Sequence, residues 1–321
     1  MRRPLLSLTI VACLAVVAAP SADAKARWKL GISDQSAATF VDPSFAALNT
    51  AMARYVTPWD TMNPGRIAYA NSLKNWVDHA RAAHQQILIA FETSHVRGQE
   101  RRAPTVTQYT KAIRRFAKAY PDIHNIQPWN EENRCQDVNE AGFVVGQPIC
   151  RKPKMAAIYY MAARRVFKGA KITGLDILDA RDIACHKMDC ALKYIRNFMR
   201  YAKPRPKYWG VHNYADTNRF SMSRTKAIAK ATKSGDIWLT ETGGIVSLGK
   251  SFPYSTKRAA KALGCMFTLA NSNRRITRLY VYQYFGIRKS TLFDAGLLNP
   301  DLSKRPGYDV VRKRKAGPCH K

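Results

Sequence analysis

The sequence predicts an α/β protein, a single-domain (β/α)8 barrel, and two observations carry that reading. Eight short runs recur along the chain: Lys29–Ser33, Ala53–Thr57, Gln86–Phe91, Asn125–Trp129, Lys171–Leu178, Tyr208–Asn213, Ile237–Thr240 and Arg278–Tyr284. They are apolar nearly throughout, as strands covered on both faces are. Segments with helical spacing separate them. Asn71–Ala83 places Leu73, Trp76, Val77 and Ala80 on one face, and Thr107–Ala119 does the same with Tyr109, Ile113 and Phe116, with Thr107 as candidate N-cap. Lys154–Phe167, Ala191–Tyr201 and Thr256–Ala270 repeat the pattern. Strand then helix, about eight times in roughly 300 residues, is the plan of a TIM barrel. A doubly wound open sheet would show a glycine-rich phosphate turn after the first strand. Residues 32–40 read ISDQSAATF instead, and no cofactor is expected.

The first 24 residues read as a secretory signal peptide. Met1-Arg2-Arg3 is followed by the apolar stretch Leu5–Ala19 and by the small-residue site Ala22-Asp23-Ala24. The stretch is short for a span of about 20 residues, so residues 25–321 are expected to form a secreted catalytic domain with no membrane span. Cysteine usage agrees. Cys135, Cys150, Cys185, Cys190, Cys265 and Cys319 are an even set in an exported chain. Sequence proximity favours Cys135–Cys150 and Cys185–Cys190, which leaves Cys265–Cys319. A zinc site at Cys185, His186 and Cys190 is the rival reading, but its spacing fits no common zinc pattern, and no metal is expected.

The chain carries 53 Lys and Arg against 22 Asp and Glu, a formal net charge of +31. Such a field draws polyanions. The charge is dispersed, with its densest run at Arg312-Lys313-Arg314-Lys315, and a solvated basic surface explains it equally well. No nucleic-acid motif accompanies it, and no nucleic-acid partner is expected.

In a barrel the active site forms at the C-terminal ends of the strands. Those ends hold Asp34, Asp60, Glu92, Glu131, Asp179, His212 with Asn213, Glu241, and Gln283 with Tyr284. Carboxylates and amides dominate, with no nucleophilic Ser or Cys. That set suits glycoside hydrolysis, in which one carboxyl protonates the leaving oxygen and the other attacks the anomeric carbon or activates water. Two segments stand out: Gln127-Pro128-Trp129-Asn130-Glu131-Glu132-Asn133 after the fourth strand, and Trp238-Leu239-Thr240-Glu241-Thr242-Gly243-Gly244 after the seventh.

An Asn-Glu pair after strand four and a glutamate after strand seven resemble the clan A retaining glycoside hydrolases. Val211-His212-Asn213-Tyr214 is similar to their His-x-Tyr segment, and Gly296-Leu297-Leu298-Asn299-Pro300-Asp301 with Pro306 to their return into the last helix. Within the clan the chain looks most like the grouping around family 39. The resemblance implies Glu131 as acid/base, Glu241 as nucleophile, Asn130 on the sugar 2-hydroxyl, and His212 and Tyr214 orienting Glu241 and lining the cleaved-sugar subsite. Two positions depart from it. Glu132 stands where relatives carry proline and competes for the acid role. Gln283 and Tyr284 stand where relatives carry a tryptophan beneath the sugar.

The expected substrate is a polysaccharide or oligosaccharide, acidic or cell-wall associated if the charge serves capture. Trp59, Trp129 and Tyr284 offer flat faces for sugar rings, and Asp60 and Glu92 could bind hydroxyls. Each has a structural alternative: core packing for the aromatics, an ion pair for Glu92, a turn cap for Asp34, a purely structural place for Asp179. The competing function is a non-catalytic secreted barrel that binds carbohydrate or polyanion. It predicts loss of one catalytic carboxylate, and both candidates are present.

Overall fold

The structure, a computed structural model, describes residues 27–135, 146–179, 189–287 and 293–320. Eight parallel strands close into one barrel in sequence order: β1 Lys29–Ser33, β2 Met52–Pro58, β3 Gln86–Glu92, β4 Asn125–Gln127, β5 Lys171–Leu178, β6 Tyr208–His212, β7 Asp236–Thr242 and β8 Ile276–Tyr282. The ring of helices is α1 Ile67–Ala82, α2 Val106–Ala119, α3 Pro153–Val166, α4 Asp189–Tyr201, α5 Tyr214–Asn218, α6 Ser223–Thr232, α7 Thr256–Ser272 and α8 Pro306–Arg312. The expected (β/α)8 architecture is the one observed, and the expected strands match to within about two residues at their ends. The expected signal peptide lies outside the described residues. No helix among the described residues is long and apolar enough to cross a membrane.

Local chemistry sets the helix ends. The N-cap of α2 is Thr105, not Thr107. Its side chain accepts from the Gln108 N–H while Gln108 accepts from the Thr105 N–H, a reciprocal capping box. Pro153 opens α3, where its missing N–H costs nothing, and Ser255 caps α7 by accepting from the Arg258 N–H.

Two core layers lie on either side of the strands. Outward residues such as Ile89, Phe91, Ile126 and Val211 meet the buried helix faces. Inside, Met52, Leu88, Trp238 and Tyr280 form a small apolar plug. On the C-terminal side of that plug the interior turns polar, with Arg54, Gln127, Asp176, His212 and Thr240 all buried. Disulfides join Cys135 to Cys150 and Cys265 to Cys319, as expected. The third expected pairing involves Cys185, outside the described residues.

Candidate active site

The polar end of the barrel is organised around one guanidinium. Arg54 projects inward from β2 and is fully buried. Its Nη1 donates to Glu241 Oε1 at 2.6 Å and to Ser33 Oγ at 3.2 Å. Nη2 donates to Asp176 Oδ2 at 2.8 Å and Asn130 Oδ1 at 2.7 Å, and Nε to Gln127 Oε1 at 2.5 Å. Strands β1, β2, β4, β5 and β7 are thus tied through one side chain. A buried cation needs such partners, because removing it from water costs several kcal/mol unless charge and hydrogen bonds replace the solvent.

His212, at the end of β6, completes the network. Its Nδ1 contacts Glu131 Oε1 at 2.8 Å and its Nε2 contacts Asp176 Oδ2 at 3.0 Å. Burial alone would hold the ring neutral, but Asp176 and Glu241 outweigh it and push its pKa up to about 10. The ring is an imidazolium donating from both nitrogens. Asp176 is drawn down to about 2: burial opposes its ionisation, and His212 and Arg54 overcome that. The register between β6 and β7 shifts after Val211, which sets His212 opposite Glu241. That irregularity brings the two side chains together, with His212 Nδ1 3.6 Å from Glu241 Oε2.

Glu131 follows β4 with a positive φ of 47°. This left-handed conformation is uncommon for a residue other than glycine and is a frequent mark of functional sites. Its Oε1 faces His212, and its Oε2 is held by Arg134. Burial raises its pKa, but Arg134 and His212 together lower it to about 2. Glu241, at the end of β7, accepts from Arg54 and, at 3.2 Å, from the Tyr214 hydroxyl at the start of α5. Burial and the adjacent Glu241 carboxylate keep that phenol protonated.

Glu131, His212 and Glu241 are the set among the described residues whose donor atoms approach a metal cluster, all within 4.8 Å of one another. Both nitrogens of His212 already face carboxylates, and Arg54 pairs with Glu241. The arrangement suits paired-carboxylate chemistry.

The structure therefore brings together Glu131, Glu241, Asn130, His212 and Tyr214. Other candidates sit elsewhere. Trp129 is fully buried behind the sheet, stacked on Tyr159, with its Nε1 donating to Gln147. Tyr284 is fully buried too, packed against Phe45 with its hydroxyl on Asp42. Trp59, Asp60 and Glu92 form a second cluster at the ends of β2 and β3: Asp60 pairs with Arg66 at 2.9 Å and accepts from Ser94, and Glu92 pairs with His95 at 3.0 Å. No hydrogen bond among the described residues joins that cluster to the Arg54 network. Glu132 turns away from Glu131 and accepts the Asp176 N–H at 2.7 Å. Burial, reinforced by Asp176, raises its pKa well above the carboxylate range. Asp34 accepts from Ser36 and Tyr284, tying β1 to β8, and Asp179 accepts from the Ala215 and Asp216 N–H groups at the start of α5.

Four residues of the site escaped the reading of strand ends. Arg54 and Asp176 lie inside strands, Arg134 lies on the loop after β4, and Tyr282 ends β8. The Tyr282 ring packs edge-on against Tyr214, and burial and Glu241 raise its pKa. Arg54 and Asp176 did leave a signal. A charge inside an apolar run, as in MARYVTP or KITGLDIL, must find a buried partner.

The fold is similar to that of several solved glycoside hydrolases. Among solved structures, a glycoside hydrolase family 10 endoxylanase from a sugarcane soil metagenome aligns over 89% of this chain and 96% of its own, with 14% identity and a TM-score of 0.62. A GH5_18 protein from Streptomyces cattleya, in complex with GlcNAc, aligns over 92% and 82%, with 15% identity and a TM-score of 0.63. A family 39 glycoside hydrolase from Bacteroides cellulosilyticus WH2 aligns over 89% and 62%, with 13% identity and a TM-score of 0.57. No protein-family model and no curated protein sequence matches the chain.

Proposed function

We propose that this protein is a retaining glycoside hydrolase that cleaves a polysaccharide or oligosaccharide by double displacement. One observation carries the proposal: a Glu131 oxygen and a Glu241 oxygen, from the ends of β4 and β7, lie within 4.8 Å of each other. Retaining enzymes hold their two carboxyl groups about 5–5.5 Å apart, whereas inverting enzymes need roughly 6.5–9.5 Å to admit a water. In the first step Glu241 attacks the anomeric carbon as the glycosidic C–O bond breaks, and Glu131 gives its proton to the leaving oxygen. In the second, water attacks the same carbon, Glu131 takes the water's proton, and the ester to Glu241 breaks. Arg54 and Tyr214 hold Glu241 in place through hydrogen bonds to its two oxygens. Asn130 gives its carbonyl to Arg54 and so turns its amide N–H toward a sugar 2-hydroxyl. The similarity to xylanases and other glycoside hydrolases supports the class of substrate, and the two disulfides support a place outside the cytoplasm.

The test is a screen of polysaccharides with Glu131→Gln and Glu241→Gln beside the wild type, following product anomers by NMR. Either substitution is expected to cut turnover by roughly 1,000-fold or more, and the wild type to release product with retained configuration. Near-normal turnover by either variant, or inverted product, overturns the assignment.

A further inference from the structure

Arg134 holds the wrong state of Glu131 for the first chemical step. Its Nη1 sits on Oε2, while the other oxygen, Oε1, faces His212. With Oε1 engaged, Oε2 is the oxygen left to meet an incoming glycosidic bond. Among the described residues, the other charged or titratable groups around this carboxyl are Arg54 from β2, Asp176 from β5, His212 from β6, Glu241 from β7, Tyr214 from α5 and Tyr282 from β8. Both cations that touch Glu131, Arg134 and His212, favour its carboxylate. A carboxylate is the form needed as base in the second step, not as acid in the first.

Arg134 differs from the other cations of the site in two ways. It is partly exposed, with 26% of its side chain open to solvent, whereas Arg54 and His212 are fully enclosed. Its Nε has no hydrogen-bond partner among the described residues. The backbone beneath it is held firmly. Gln147 N–H donates to the Arg134 carbonyl at 2.7 Å, Gln147 also accepts from Trp129 at 2.9 Å, and Cys135 is bonded to Cys150. The side chain can therefore exchange partners while its base stays in place.

Resting on the glycosidase reading above, we propose that the substrate is an acidic glycan, and that Arg134 is a positioning residue that binds a carboxylate or sulfate on the leaving-group side. When the substrate anion takes the guanidinium, Glu131 loses that partner, takes up a proton from solvent and becomes the acid that protonates the leaving oxygen. Departure of the acidic leaving group returns Arg134 to Glu131, which is then the carboxylate base of the second step. A planar guanidinium suits this exchange, since it offers several donors in a fixed fork to either carboxylate. The net charge of +31 brings such substrates in.

The probes are uronate-containing oligosaccharides of three to six sugars, each paired with its carboxyl-reduced, neutral counterpart. Calorimetry on Glu241→Gln, in buffers of different ionisation enthalpy, is expected to show tighter binding of the acidic member and proton uptake with it alone. Adding Arg134→Ala removes both differences, and Arg134→Lys restores part of the preference. In the active enzyme the basic limb of the kcat profile lies about 1–3 pH units higher for the acidic member, and in Arg134→Ala the two limbs coincide. Equal binding and equal proton uptake by both members overturns the proposal. So does an equal fall on both with Arg134→Ala, the mark of a purely structural role. If the wild type turns over no member of the panel while Arg134-dependent proton uptake persists, the glycosidase reading fails and the exchange at Arg134 stands. Turnover of neutral members alone does the reverse.

Discussion

Two arginines are buried inside the barrel, and they live in opposite surroundings. Arg278 stands opposite Lys29 at the start of β1, whereas Arg54 stands opposite Ser33 at its end. Arg278 donates to Asn125 Oδ1 at 3.0 Å and to the Tyr280 hydroxyl at 3.2 Å, with its guanidinium 3.9 Å from the centre of the Trp238 ring. Its polar contacts are neutral. Arg54 bonds two carboxylates directly and lies close enough to Glu131 for a third to act on it. One barrel thus accommodates a cation in two ways. At its N-terminal end a ring face and an amide suffice, beside an apolar plug. At its C-terminal end the cation is the counter-charge for a cluster of acids that would otherwise repel each other. Charge at the second end is balanced by opposite charge, and charge at the first is tolerated by packing.

Removing each arginine is the direct way to break this comparison. Arg54→Met leaves Asp176 and Glu241 without their shared partner, and stripping one member from a buried ion pair costs about 3–5 kcal/mol. Turnover is expected to vanish with it, and urea unfolding at pH 7 measures the stability loss. A stable, active Arg54→Met protein would mean that His212 alone balances the acids. Arg278→Met, by contrast, puts an apolar chain next to an apolar plug and leaves only the neutral Asn125 oxygen without its donor, so the expected loss is about 1–3 kcal/mol, with activity within about twofold of wild type. A large activity loss there would show that the two ends are coupled.

The acid cluster also sets a pH signature. The folded pKa of His212 is raised to about 10 from an ordinary value near 6.5. Its ion pairs therefore stabilise the fold fully below about pH 6.5, and that contribution is lost as pH rises through about 10. Asp176 is depressed to about 2, so its share is present above about pH 3.9 and lost as pH falls through 2. The stability gap between wild type and His212→Gln is expected to be widest between these limits and to narrow on the alkaline side. A gap that stays constant to pH 10 would mean the imidazole is neutral in the fold.

The smallest expected effect separates the two tyrosines near the end of β8. Tyr284→Phe loses a hydroxyl bond to Asp42, worth about 1 kcal/mol, and leaves turnover unchanged. Tyr282→Phe keeps stability and alters KM, because Tyr282 packs on Tyr214 beside Glu241. Steady-state kinetics with both variants on the same substrate decides it, and the reverse ranking would put Tyr284 back beneath the sugar.

Much of this was legible in the sequence. The apolar runs placed all eight strands, and strand ends delivered Glu131, Glu241, His212, Asn130 and Tyr214, because in a barrel the end of a strand is the floor of the site. Trp129 and Tyr284 misled for one reason: β4 stops at Gln127 and β8 at Tyr282, two residues short of the expected ends, so the residues beyond turn back into packing. Other features belonged to the tertiary structure alone. That Glu131 and not Glu132 meets Glu241 depends on a left-handed φ at Glu131. That His212 lies beside Glu241 depends on a register shift between β6 and β7. That Arg54 joins five strands depends on closure of the barrel. Apolar periodicity reports which residues leave water, since burial acts residue by residue along the chain. It does not report which buried charges meet, because a pair such as Arg54 and Glu241 is set by register and closure across a sequence separation of 187.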